Sequence, residues 1–276
     1  MTDWAAVEAA RVGAERKVAE LQIRSLPIDP IQVAREAGIL VEGADLEGAS
    51  GCLMRQGDQF GILYSTSLPN AGFINFTVGH ELGHYFLPGH IDIVLPDGRP
   101  HLSRGEFLSD NQQEREADAF SASFLMPRDL FLPALRRAGS GFQAIERLSG
   151  LCGTSLTATG IRFAAFAEDP VAVILSQQGR IQFCALSETL RSIRMKWLRS
   201  GDPVPRGTVT EEFRRSEQKV RTAARAEGAG CLSNWFDGAP EFEMQEDVVG
   251  LGSYGRVLTV LFSDEAMPDE SDEDDE

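Results

Sequence analysis

His80-Glu81-Leu82-Gly83-His84 has the residue types and the spacing for metal-assisted hydrolysis. Two histidines four residues apart on a helix share one face, so both imidazoles can reach a single ion. Glu81 lies about 100° round the helix from His80, near enough to touch a water on that ion without ligating it. Imidazole donors suit Zn²⁺, which lowers the pKa of a bound water to about 7. Glu81 would then act as general base, taking a proton from the water and handing it to the leaving amine. The bland alternative for so short a match is a surface helix with solvated histidine and glutamate.

A hydrolytic zinc ion takes three protein ligands and keeps one position open. Glu114, 30 residues after His84, is the favoured third ligand. Asp118 follows it by one helical turn and offers a carboxylate to the free nitrogen of a ligand histidine, which fixes that ring's tautomer and orientation. His90 is the rival third ligand, at the metzincin distance from His84. That pattern needs Gly at position 87 for the chain to turn, and here position 87 is Leu and the glycine is Gly89. Glu116 points about 200° away from Glu114 and reads as part of a solvated face. His101 falls in a polar stretch and reads as a contact for substrate or for the transition-state oxyanion. His90 is assigned the same subsidiary role if it does not ligate.

Helices must position these groups. Asn70 to Phe86 forms one, with Asn70 as N-cap and Pro88-Gly89 as the stop. A second runs from about 110 to 126, with Ala117, Ser121 and Phe124 lining the Glu114/Asp118 side. A third follows over roughly 128–138. The intervening 89–110, rich in Gly, Pro, Asp and Ser, reads as a long loop of the kind that covers a site. Upstream, 3–23 reads as an amphipathic helix with Trp4, Val7, Val12, Val18 and Leu21 near helical spacing, and 30–37 as a short helix starting at Pro30. Segments 39–43, 51–56 and 60–65 read as short strands, the last two joined at Gly57-Asp58. Downstream, 141–149 and 154–167 are short helices, 171–187 is two strands turning at Gln178-Gly179, 209–227 is a charged helical stretch, and 258–262 is a strand.

The chain has 276 residues and a net charge of −16. Nine of its acids fall in 264–276, which contains no base, and the remaining 33 acids against 26 bases leave −7. A like-charge block of that density stays solvated and disordered. The acidic body disfavours nonspecific attraction to phosphate backbones or anionic membranes. Cys52, Cys152, Cys184 and Cys231 lie far apart with no CxxC pair, as suits buried thiols in a reducing compartment. The N-terminal MTDWAAVEAARVGAERK lacks the apolar core of a signal peptide, and no run of 18 apolar residues exists. A cytoplasmic location is expected.

The stretches NFTVGHELGHYFLPGH (75–90) and EREADAFSASFLMP (114–127), with the lead-in LPIDPIQVAREAGILVEG (26–43), resemble the ImmA/IrrE family of metallopeptidases. The resemblance is strong over about 25–130 and weaker over 130–265. It implies a gluzincin-like zinc site held by His80, His84 and Glu114, and a helix-turn-helix transcriptional repressor as substrate, cut to derepress stress-response or mobile-element genes. Position 118, often Asn in the family, is Asp here.

The expected fold is α+β: a small-sheet, zincin-like metallopeptidase domain, a helical linker and a smaller α+β C-terminal domain. The expected boundaries are an N-terminal helix over 1–24, the metallopeptidase domain over 25–138, a helix-turn-helix-like linker over 139–168, a sensor-like domain over 169–263 and a disordered tail over 264–276. Zn²⁺ is the expected ion, with Mn²⁺ as the alternative. The competing readings are a DNA-binding regulator built on 141–149 and 154–167, or a protein-interaction regulator with an inactive metal site. Arg162 is the single base of the second helix in that pair, poor equipment for a phosphate backbone.

Overall fold

The computed structural model describes residues 3–104, 111–252, 255–265 and 267. Most of the acidic run 264–276 lies outside the described residues. The architecture is α+β, as expected, in two compact units: Met1–Ala134 with Ser149–Ser155, and Leu135–Leu148 with Leu156–Glu276.

In the first unit the helices are α1 (Trp4–Glu20), α2 (Pro30–Glu36), α3 (Ala71–Phe86), α4 (His90–Val94) and α5 (Gln112–Leu125), and α6 (Arg128–Ala138) begins there. The strands are β1 (Leu40–Ala44), β2 (Gly51–Gln56), β3 (Gln59–Ser65) and β4 (His101–Ser103), in the order β1-β3-β2-β4. β1 runs parallel to β3; β2 is antiparallel to both β3 and β4. The β2–β3 turn at Gly57-Asp58 holds Gly57 at a φ of 62°, the left-handed region a tight hairpin turn needs.

α3 is the centre of this unit. Asn70 caps it by accepting the Phe73 N–H, and Leu87, held extended ahead of Pro88, ends it. From Thr77 to His84 every residue is buried, with the sheet on one side and α5 on the other. The fully buried Leu82 and Val78 each stabilise the unit by about 1.5–3 kcal/mol. α5 approaches α3 closely because the facing residues are small. A Cβ added at Gly83 would lie 3.1 Å from the Ala117 Cα, and one at Gly79 would lie 2.6 Å from the Ser121 Oγ. The Ser121 hydroxyl donates to the Phe76 carbonyl at 2.8 Å, which locks the two helices in this register.

α1 packs on α5 through Val7, Ala10, Ala14 and Val18. That differs from the face read from Trp4, Val7, Val12, Val18 and Leu21: Trp4, Val12 and Leu21 are exposed. The two alanines permit the close approach, and hydropathy ranks them below valine and tryptophan. Segment 89–110 also differs from a plain loop, since α4, a 3₁₀ turn at Pro96–Gly98 and β4 occupy it as far as 103, and 105–110 lie outside the described residues.

The second unit has a five-stranded antiparallel sheet in the order β6-β5-β9-β8-β7, formed by β5 (Val171–Gln177), β6 (Arg180–Leu186), β7 (Arg225–Cys231), β8 (Glu243–Gly250) and β9 (Arg256–Phe262). Gln178 and Gly179 turn the β5–β6 hairpin with φ of 51° and 75°. The stretch 209–227 is not one helix. It holds two short helices, Val209–Phe213 and Glu217–Arg221, and the start of β7. Helix α7 (Gly141–Cys152) lies mostly in this unit, and α8 (Leu156–Phe166) lies wholly within it. All four cysteines are free. No helix among the described residues is long and apolar enough to cross a membrane.

The contact at Gly83 predicts a measurable cost. Gly83→Val should lower unfolding free energy in urea by about 1–3 kcal/mol, because the added carbons meet backbone that cannot retreat. Gly150→Ala is the contrast: nothing lies within 4 Å of the added Cβ on α7, and the change should stabilise by up to about 1 kcal/mol. Equal midpoints for the two variants would contradict the packing account.

Candidate metal centre

The i, i+4 spacing on α3 and the glycine-faced contact with α5 bring three donors together. The Nε2 atoms of His80 and His84 face each other at 3.1 Å. Glu114, in the first turn of α5, places Oε2 at 3.4 Å from His80 Nε2 and Oε1 at 3.3 Å from His84 Nε2. A fourth donor arrives from the sheet: His101 Nε2 lies 3.0 Å from Glu114 Oε1. The four groups offer donor atoms all within 4.8 Å of one another, a set able to hold a metal ion.

Whether these residues fit an ion can be judged from the polar atoms that find no other partner. Among the described residues, Glu114 Oε1 and His101 Nε2 are buried and close but out of hydrogen-bond alignment with each other. Buried polar atoms are seldom left this way, and convergence on a shared cation accounts for both. Three nitrogens and a carboxylate suit zinc.

Glu81 sits beside the cluster and is completely buried. Neither of its carboxylate oxygens has a hydrogen-bond partner among the described residues. Its oxygen presses against β2, where a Cβ at Gly51 would come within 2.5 Å of Oε1; only glycine leaves the carboxylate its place. Gly51 gave no signal in the sequence beyond being a glycine at a strand start.

Asp118 lies beside the His80 ring. Its Oδ1 lies 2.8 Å from His80 Nδ1, leaving Nε2 for an ion. His101 is carried by β4, paired opposite Leu53 of β2, instead of by a loop. His90 lies outside the four-donor cluster. Its Nδ1 is 3.1 Å from His84 Nδ1 and its Nε2 is 3.0 Å from Glu116 Oε2, so both ring nitrogens are engaged and neither is left for ion or substrate. Glu116 is likewise not on a solvated face, with a side chain only 16% exposed. Sequence spacing could not foresee this pairing, because it depends on α4 folding His90 back over His84.

The surroundings set the charges. Burial alone would raise the Glu114 carboxyl, but the rings of His101, His80 and His84 outweigh it and hold the group ionised, well below the usual carboxylate range. Burial pulls His84 down to about 3, leaving it neutral, as a ligand must be. Burial also works against the charged form of His80, yet Asp118 and Glu114 more than compensate and lift it well above the ordinary histidine value. Burial raises the Glu81 carboxyl, with the charge on His80 opposing it.

Residues 34–162 match the family described as the IrrE N-terminal-like domain, a peptidase family, and they include every donor named above. Over that segment the chain resembles the ImmA/IrrE family. Its fold is similar to that of a Mycobacterium tuberculosis transcriptional regulator, with 16% identity, a TM-score of 0.57, and coverage of 92% of this chain and 76% of that one. At that identity the likeness is one of fold. No match is found among curated proteins. The family match over 34–162 suggests a metallopeptidase, and the donor cluster within it could hold a metal ion.

The sign of the pH dependence follows from His80. A metal ion must displace the proton that Asp118 and Glu114 hold there, so affinity should rise with pH until His80 is deprotonated on its own, by up to about tenfold per pH unit. Chelator competition across the neutral range checks this. A flat profile would contradict the charge assignment.

Proposed function

We propose that the protein is a zinc-dependent endopeptidase acting on a helix-turn-helix transcriptional repressor. The observation that carries the reading is the buried, unpartnered Glu81 carboxylate beside converging donors from His80, His84 and Glu114. A structural cluster has no use for that carboxylate, whereas hydrolysis does. Zn²⁺ is the ion the nitrogen-rich set favours, and Mn²⁺ is the rival. When bound, such an ion supplies a Lewis acid that polarises a carbonyl and acidifies a water. His80, His84 and Glu114 are the proposed ligands, with Asp118 orienting the His80 ring. Glu81 takes a proton from the attacking water and delivers it to the leaving amine nitrogen. Its burial favours the protonated form, so after the first transfer it holds the proton well enough to be the donor for the second step. His101 comes from a three-residue edge strand, the least anchored of the four donors, and is the residue placed on the substrate side.

The repressor substrate is supported by the family and by a net charge suited to a basic partner. A similar fold in a transcriptional regulator is in keeping with a regulatory setting. The DNA-binding reading gains nothing from α8: Arg162 is buried and its guanidinium sits over the Phe166 ring at 4.4 Å.

The test is Glu81→Gln, assayed on a helix-turn-helix repressor encoded next to this chain. Cleavage should fall by about 10²- to 10⁴-fold while metal content stays unchanged. A variant that cuts as fast as the wild type would remove Glu81 from the mechanism.

A further inference from the structure

Both Nε2 atoms of the helix face Glu114, but the Nδ1 atoms differ: that of His80 meets the carboxylate of Asp118, and that of His84 meets no carboxylate among the described residues. What it has is His90. His84 Nδ1 and His90 Nδ1 lie 3.1 Å apart, with His84 fully buried and His90 only 3% exposed. Two imidazole nitrogens at that distance need one donor and one acceptor. The tautomers follow from the rest of the site. His84 must keep Nε2 unprotonated to offer it to an ion, so its proton sits on Nδ1 and is donated to His90 Nδ1. His90 then carries its own proton on Nε2, which faces Glu116 Oε2 at 3.0 Å.

The chain of contacts continues. Gln112 donates its side-chain amide to Glu116 Oε1 at 2.9 Å and to the Asp3 carbonyl at 3.0 Å, and its Oε1 accepts the Asp3 N–H at 3.0 Å. Asp3 is the N-cap of α1, accepting the N–H groups of Ala5 and Ala6. Every member has a single consistent donor and acceptor assignment, with no conflict from His84 to the N-terminal helix. A partly satisfied network of this kind would be worse than apolar packing, so a complete one is a specific feature.

We propose that His90 and Glu116 are positioning residues for the metal ligand His84, fixing its tautomer and ring plane through a hydrogen-bond chain that runs from the buried His90 out to Gln112 and the exposed start of α1. The proposal rests on the metal-centre reading given above. In it the two histidines of the helix are held by different means: His80 by the carboxylate of Asp118, His84 by a histidine whose own tautomer is set by the carboxylate of Glu116. Outer partners of ligand histidines fix the ring and raise its basicity, and losing one weakens metal binding by about 10- to 100-fold. His90 is buried and engaged at both nitrogens, so it acts through His84 and does not touch substrate.

The test is the Zn²⁺ affinity of the full-length chain, measured by competition with a chromophoric chelator, for the wild type, His90→Phe, His90→Asn and Glu116→Gln. His90→Phe fills the space with no acceptor and should bind about 10- to 100-fold more weakly. His90→Asn puts an oxygen acceptor near the lost Nδ1 and should recover part of that affinity. Glu116→Gln can present an amide N–H to His90, which reverses the ring's tautomer and sets two protons against each other at His84, so it should also bind more weakly. If His90 merely packs, the order of the first two reverses, because phenylalanine fills a buried ring site better than asparagine. That reversal, or affinities indistinguishable from the wild type in all three variants, overturns the proposal. A wild-type chain that takes up no Zn²⁺ overturns the metal-centre reading itself and the proposal with it.

Discussion

The close contact between α3 and α5 is the constraint on which the rest of the site depends. Glu114 can reach the two histidines of α3 only if the helices touch nearly backbone to backbone, and Gly79 and Gly83 facing Ser121 and Ala117 are what allow it. The same register carries Asp118 to His80 and Glu116 to His90. α5 therefore serves both histidines, with Glu114 and Asp118 one turn apart on one side and Glu116, between them in sequence, on another. Larger residues at the two glycines would separate the helices and dissolve all of these contacts together.

The second constraint is electrostatic. His80, Glu81 and His84 are buried and Glu114 is only 13% exposed, and unbalanced charge at such depth costs several kcal/mol per group. The arrangement lowers that cost by alternating signs. Glu114 and Asp118 stabilise a positive charge on His80, and His84 stays neutral. A divalent cation would satisfy the same carboxylates more fully, which is how metal binding and folding stability become linked here.

Much of the site was legible from residue spacing. HExxH on a capped helix, with Glu114 and Asp118 one turn apart on another, specifies a pair of facing helices, and the structure supplies that pair. The pairing of His90 with Glu116 and the seat of His101 on a strand were not legible, for a shared reason. Each depends on where 89–103 folds, and that stretch forms short elements, α4 and β4, whose existence comes from tertiary contacts instead of periodicity. The apolar face of α1 was misread because its packing uses Ala10 and Ala14, residues that close contact favours and hydropathy does not. The end of the charged stretch 209–227 is strand instead of helix because residues 225–227 enter β7, which pairs with β8, a long-range contact that overrides local helix preference.

X-ray absorption on the zinc-loaded protein tests the central claim most directly, because it reports the ligands themselves. The account predicts one zinc per chain in a shell of nitrogen and oxygen only, with outer scattering from imidazole rings, and loss of that shell in Glu114→Ala. A sulfur-containing shell, or a shell unchanged by Glu114→Ala, would show that the ion binds elsewhere and that the α3–α5 contact does not build the site.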